Sequence, residues 1–516
     1  MPDWIPNGIL VYREGDTEGG ATVATVRSRA QIHGMLVGIA VGVLTTGLIL
    51  PFVVVGSTPD GVVAGNAPDD GSPLVGIGDE PRTNEMTPAV PGSGAVSADE
   101  QASTPVASSP VAGHTTSRAP STLTATDRGV TATTVTLGFP LYDLGAASRL
   151  GLAVDGLDPE AQQATIQAFV DHVNDEGGIN GRRIRPVYRS LEVLSQDAAY
   201  AVCLALTEDE SSFAVLGDLI YPGASQCVTN HDTILLTNSA AVTDDSYAGG
   251  KGLLYGMFPR GSRMMANFAA KLGQLGKLNG TKVGVLSDKG FDPAGRTMAA
   301  LVTSVQDRGG TVVRATNLSE DRSVASSQVP VEVNQMRSAG AEAMLFISGF
   351  LYSTQFAQQA DSQRWVPAYF ASDWAGMYVS NVNENMPPSY DGALVVTTTR
   401  DSDHNFGIEP PPAARCREIY EQRAGTKLGT GDHDYAMVQC DLVLSFVHAT
   451  RLAGPNLTRA SAGRSLQRMG PFPTAFWGGG TFGPGKFDMA DQIQVDRWDR
   501  ACKCFEPHSP FEPSRY

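Results

Sequence analysis

The stretch FVDHVNDEGGINGRRI, residues 169–184, decides how this chain is read. Ile166, Phe169, Val170 and Val173 recur at i, i+3, i+4 and i+7, the spacing of one apolar helix face. Gly177 and Gly178 stop that helix, because glycine takes the left-handed C-terminal cap without a Cβ clash. Alone, the stretch is a capped helix between two strands. Ahead of it, GVTATTVTLGFPLYDLG reads as an opening strand and loop; behind it runs the basic strand Arg182 to Arg189.

Outward from this unit the same alternation continues. Strand-like apolar runs fall at Val135–Phe139, Ile184–Tyr188, Phe213–Gly217, Ile234–Asn238, Lys282–Ser287, Thr311–Ala315, Ala343–Ser348 and Ala368–Ala371, with helical patterns between them. Strands alternating with helices predict an α/β protein with parallel sheets. The strands are too many for one sheet of ordinary size, so the reading is two doubly wound parallel-sheet lobes. Parallel sheets bind ligands beyond the carboxyl ends of their strands. Two lobes facing each other put those edges in a cleft that hinge motion can close.

The chain of 516 residues carries a formal net charge of −16. That excess disfavours nucleic acid, since little here replaces phosphate counterions. Gly34 to Gly56 is uncharged and long enough to span a hydrocarbon core. Arg27 and Arg29 precede it, which predicts a cytoplasmic tail over 1–33, a transmembrane signal anchor over 34–56 and everything else outside. A cleaved signal peptide is the rival, but the apolar run is long for one and no Ala-x-Ala site follows. Residues 57–128, rich in Ser, Thr, Pro, Ala and Gly, cannot bury enough apolar surface to offset ordering and read as a disordered linker.

Six cysteines lie in the exported part, which favours disulfides. Cys203 and Cys227 sit on or beside adjacent helices of one sheet face, and Cys416 and Cys440 repeat that arrangement, so these pairings are expected. Cys502 and Cys504 either close a tight ring or stay reduced.

The order strand, loop, long helix, Asn-Asp-Glu-Gly-Gly-Ile-Asn-Gly, strand resembles the type I periplasmic substrate-binding proteins of ABC transporters, and within them the branched-chain amino acid (leucine-binding) group. FAVLGDLIYPGASQCVTNHDTILLTNSAAVTDD is similar to that family's strand, helix, strand and ligand loop. KVGVLSDKGFDPAGRTMAALVTSVQDRGGTVV looks like the opening of its second lobe, and GGGTFGPGKFDMADQIQVDRWD like its late β-segment. The resemblance implies a binding domain over 129–516, with lobe 1 near 129–258 and 375–455 and lobe 2 near 259–374 and 456–516.

The resemblance also implies a site. Its first ligand loop falls on Asp218 to Tyr221, with Tyr221 where a serine commonly holds a carboxylate. The second falls on Asn238 to Thr243, with Val242 where a threonine commonly stands, beside Ser239 and Ala240. Asp373 matches the acid that holds an ammonium, Phe291 the aromatic wall, and Phe350, Tyr352 and Tyr142 complete the set. With two carboxylate hydroxyls missing, weak or absent leucine binding is expected.

GTFGPGK, Gly480 to Lys486, has phosphate-loop spacing, but Phe487 stands where Ser or Thr is needed and no helix follows, so it reads as a glycine turn. DSDH (Asp401–His404) and GDHD (Gly431–Asp434) read as solvated turns, with no metal expected. There is no nucleophile elbow and no His-Glu-x-x-His. The expectation is a membrane-anchored, extracytoplasmic solute-binding protein that takes no cofactor, performs no chemistry, and hands a small amino-acid-like ligand to an ABC permease. A membrane-anchored sensor of the same fold is the alternative, and an enzyme the weakest reading.

Overall fold

The computed structural model describes residues 122–145, 158–376, 385–401 and 403–516. The anchor at Gly34–Gly56, the cytoplasmic tail and most of the linker lie outside the described residues. Among those described, no helix is long and apolar enough to cross a membrane.

The opening unit folds as its sequence predicts. Strand β1 (Thr134–Asp143) leads to helix α1 (Pro159–Asp175), capped by the Asp158 side chain on the Ala161 N–H, and then to β2 (Arg183–Glu192). Gly178 has φ +68, and its N–H reaches the Val173 carbonyl at 2.9 Å to close the helix. A Cβ there would lie 2.0 Å from the Arg182 carbonyl oxygen, so only glycine fits. Arg182 itself is fully buried. Its guanidinium donates to the carbonyls of Thr131 (2.7 Å), Thr124 (2.9 Å) and Pro455 (3.0 Å), which ties three chain segments together.

The first sheet continues through α2 (Gln196–Leu204), β3 (Ala214–Leu216), α3 (Pro222–Asn230), β4 (Ile234–Thr237), α4 (Asp244–Gly249) and β5 (Leu254–Gly256). Its order is β2-β1-β3-β4-β5, all parallel. The second lobe runs α5 (Gly261–Gln274), β6 (Lys282–Asp288), α6 (Arg296–Gln306), β7 (Thr311–Leu318), α7 (Arg322–Ser338), β8 (Ala343–Ile347), α8 (Phe350–Ser362), β9 (Ala368–Ser372) and β10 (Leu394–Thr397). The chain then supplies α9 (Pro411–Ala424), α10 (His433–Leu452) and α11 (Arg459–Leu466) before β11 (Gln492–Asp499), β12 (Cys504–Pro507) and β13 (Glu512–Pro513). The second sheet is ordered β7-β6-β8-β9-β10-β11-β12, with β13 also on β11; β11 runs antiparallel to β10, β12 and β13.

Both sheets carry helices on both faces. Phe139, Phe169 and Phe446 pack one face of the first, and Cys203, Leu206 and Val215 the other. In the second sheet Val285 and Leu301 fill one side, Phe346 and Phe356 the other.

The lobe boundary falls later than the sequence suggests. The chain is expected to rejoin lobe 1 from about residue 375, yet β10 pairs with β9 in the second sheet. It returns only at α9 and α10, which pack on α1, and α11 packs on α10. The described chain therefore passes between lobes at three places: between β5 and α5, between β10 and α9, and between α11 and β11.

Disulfides join Cys203 to Cys227 and Cys416 to Cys440, as expected, and Cys502 to Cys504 as the tight ring. The glycine segment forms a turn in which Gly483 and Lys486 exchange backbone hydrogen bonds of 2.9 Å. The Lys486 ammonium is spent on the carbonyls of Thr481, Asp488 and Met489 and is not available to a phosphate.

Candidate functional site

Asp218 follows β3, Asp288 ends β6 and Asp373 follows β9. Each stands at the carboxyl edge of a parallel sheet, where ligands of such sheets bind. Their environments differ.

Asp218 is partly buried and accepts from the Ile220 N–H at 2.7 Å, with the Ser239 hydroxyl and the Leu219 N–H also holding it. Burial outweighs these bonds and pushes its pKa up to about 6. Next to it Ile220 has φ +66, while the Tyr221 N–H reaches back to the Leu219 carbonyl at 2.7 Å. A β-branched residue in that region costs about 1–3 kcal/mol and is kept only where surrounding contacts impose it. Tyr221, which precedes α3, packs on the first-lobe core, and its hydroxyl donates to the Val193 carbonyl at 3.2 Å.

Asp288 is buried and saturated. One oxygen accepts from the Gly349 N–H (2.6 Å), the other from the Phe291 N–H (3.3 Å). It ties the end of β6 to the end of β8, and burial still raises its pKa. A Cβ on Gly349 would meet the Phe291 ring at 2.9 Å, so that glycine lets the ring lie close.

Asp373 is 1% exposed. Its Oδ2 accepts from the Thr398 N–H at 2.6 Å and the Thr398 hydroxyl at 2.5 Å. Its Oδ1 is buried and has no hydrogen-bond partner among the described residues. Burial pushes its pKa up to about 6, against the pull of the Thr397 and Thr398 hydroxyls. The side chain is thus not a helix cap for the short turn at Trp374–Gly376; it crosses to the next strand.

The predicted residues fall into three groups. Tyr221 and Tyr352 come together across the lobes around Arg322, whose guanidinium donates to the Tyr221 hydroxyl at 2.5 Å and lies 5.9 Å from its ring centre. Burial pushes the Tyr352 pKa up to about 12, with Asp288 adding to the rise and Arg322 opposing it. Tyr142 and Ser239 sit within the first lobe: the Tyr142 phenol reaches Asn238 and the Asp218 backbone, and burial raises its pKa. Ala240 is buried in the core, and Val242 packs under the same loop. Phe291 and Phe350 are partly buried against the second lobe. Asp373 stands apart, on Thr397 and Thr398.

Sequence reasoning passed over Asp288 and Arg322. An acid closing a strand was the available signal for Asp288, shared with Asp218 and Asp373. Arg322 carried none, since its partner Tyr221 is 101 residues away.

One expectation is corrected. DSDH and GDHD are not solvated turns: Asp401 and Asp403 are buried, and His404, His433 and Asp434 are mostly enclosed and adjacent. Both segments are polar enough to read as surface, but α9 folds back between them and closes one on the other.

No curated protein matches the chain. Solved structures share the fold. An ABC transporter substrate-binding protein from Desulfitobacterium hafniense in complex with Leu is 15% identical, with a TM-score of 0.53 over 72% of this chain and 99% of that one. A branched chain amino acid ABC transporter protein from Thermus thermophilus with bound valine is 12% identical, TM-score 0.56, over 74% and 97%. A solute binding protein of an ABC transporter from Rhodopseudomonas palustris in complex with 3,4-dihydroxy benzoic acid is 12% identical, TM-score 0.53, over 74% and 98%. The family described as periplasmic binding protein matches residues 124–501. Two doubly wound lobes, three crossings and acids at the sheet edges agree with that match, and the chain belongs to the periplasmic binding protein family.

Proposed function

We propose that the chain is an extracytoplasmic solute-binding protein that captures a small, amino-acid-like molecule carrying a cationic group and presents it to an ABC importer. Capture needs no bond chemistry. The ligand enters between the two sheet edges, the lobes close, and the closed form docks on the permease. The uncharged run at Gly34–Gly56 would hold the protein at the membrane.

The observation that carries this reading is the Oδ1 of Asp373. An ionised carboxylate with one buried oxygen unpaired is costly, and a ligand cation would offset that cost. Tyr221, Phe291, Phe350, Tyr352 and Tyr142 would supply the walls, and Ser239 and Ala240 the loop facing them. Because Ser239 is occupied by Asp218 and Val242 offers no hydroxyl, a free carboxylate is poorly served, which supports weak leucine binding. The relatives solved with leucine, valine and a dihydroxybenzoate show how little the fold restricts the ligand.

A thermal-shift screen of the full chain against amino acids, their amides, amines and aromatic acids tests the reading. Stabilisation by amine-bearing compounds, with none from aromatic acids, is expected. Stabilisation by aromatic acids alone contradicts it. Copurification with a permease supports the importer role; copurification with a kinase instead contradicts it.

A further inference from the structure

His404 lies on the crossing between β10 and α9, and His433 and Asp434 open α10. The residues are distant in sequence, and the fold stacks the two imidazoles with centroids 4.4 Å apart and planes at 24°. Asp434 Oδ1 is 3.1 Å from His433 Nδ1 and 3.3 Å from His404 Nδ1. One donor atom from each residue lies within 4.8 Å of the other two. We propose that His404, His433 and Asp434 form a binding site for one divalent transition-metal ion of the zinc class, which pins the second crossing onto the first lobe.

Four observations support this. First, ligands ~2.0–2.1 Å from a tetrahedral zinc stand roughly 3.3 Å from one another, close to the two Asp434 distances. Second, the His404 Nδ1 is buried and faces the Asp434 carboxylate at 3.3 Å, while the ring is also bonded to the Asp401 backbone. With Nδ1 turned to Asp434, a backbone bond at Nε2 would leave Nδ1 to a metal placed between the two side chains. Backing of the far nitrogen by a carbonyl is the usual support of a ligating imidazole. Third, both rings are largely shielded from solvent, with 12% of the His404 and 16% of the His433 side chain exposed. Fourth, the cavity they line is about 10 Å³, room for one ion or water and no organic ligand.

The charges around the site are accounted for. The Asp401 carboxyl is beside Asp434 and adds a second acid. Asp403 is taken by Arg400 at 2.8 Å, and the Arg400 guanidinium also lies 4.3 Å over the Phe511 ring. Glu409 is held by Arg417. The N-terminus of α10 opposes a cation by about half a charge, which the one negative charge of the hydrogen-bonded Asp401–Asp434 pair still exceeds.

The test is calorimetric titration of zinc alone into the full, disulfide-intact chain after chelator treatment. One zinc per chain and a rise in Tm are expected. H404A and H433A should each weaken binding by more than the roughly 10–100-fold that losing an outer hydrogen-bond partner of a ligand costs. H231A, whose imidazole pairs with Glu208 elsewhere, should bind as the wild type does. Undiminished zinc binding by H404A/H433A, or none by the wild type, overturns the proposal. If the alanine variants do not fold, X-ray absorption on the zinc-loaded wild type decides: two imidazoles with oxygen ligands support the site, and all-oxygen or sulfur ligation overturns it.

Discussion

The first lobe is held by two disulfides whose partners are each 24 residues apart, Cys203–Cys227 and Cys416–Cys440. The second lobe has only Cys502–Cys504, two residues apart. Their edges differ as well. On the first, Asp218 is bonded to Ile220, Leu219 and Ser239; on the second, Asp288 is saturated while Asp373 keeps an unpaired oxygen. The acid on the stapled lobe's edge is thus fully bonded, and the unstapled lobe carries the acid with an open oxygen. The contrast teaches that acids at equivalent strand ends separate by what backbone N–H groups leave over.

The largest expected effect breaks this comparison from the side of the staples. Removing Cys203–Cys227 or Cys416–Cys440 by paired serine substitution should cost roughly 2–4 kcal/mol each, since each frees a long loop in the unfolded chain. Hydrogen exchange should localise the loss to the first lobe. Replacing Cys502 and Cys504 should cost far less, because the loop they close is short; an equal loss would end the argument from loop length.

Next is D288A. It leaves the Gly349 and Phe291 N–H groups without their acceptor, and about 2–3 kcal/mol of stability should go, measured by denaturant unfolding. D373N should cost less, since one oxygen there already lacks a partner.

The acids also give a pH test. Asp218 and Asp373 have folded pKa values raised to about 6, above the unfolded value. A raised folded pKa means that the native state holds the proton more tightly. Their contribution is therefore complete below the unfolded pKa and is lost as pH rises through about 6. Stability of the ligand-free wild type should fall from pH 4 to 7, and D373N should flatten part of that fall.

The smallest effect concerns the contact across the lobes. Y221F removes the acceptor of Arg322, along with the hydroxyl's bond to the Val193 carbonyl, and should cost about 0.5–1.5 kcal/mol of the contact across the lobes. Small-angle scattering or a distance label across the lobes reads it as a shift toward open; no shift would show the contact to be incidental.

Much of the fold was legible because each central strand is an apolar run between helical periods. β5 and β10 do not stand out in the same way. The segment that holds β10 is expected in lobe 1 and pairs in the second sheet, because strand pairing, not composition, decides which sheet a short run joins. Asp373 could be placed at an edge from sequence, but its half-filled state depends on Thr398, 25 residues on. The His404–His433–Asp434 cluster was read as two turns because only the return of α9 brings them together.

The central claim is that Asp373 receives a cationic group. Calorimetry of the best amine-bearing ligand, on wild type and D373N at pH 5 and pH 7, tests it most directly. The account predicts tighter wild-type binding at pH 7, where the acid is ionised, and a loss of at least ~2 kcal/mol in D373N together with the pH dependence. Equal affinity for wild type and D373N at both pH values, or tight leucine binding that ignores the substitution, would contradict it.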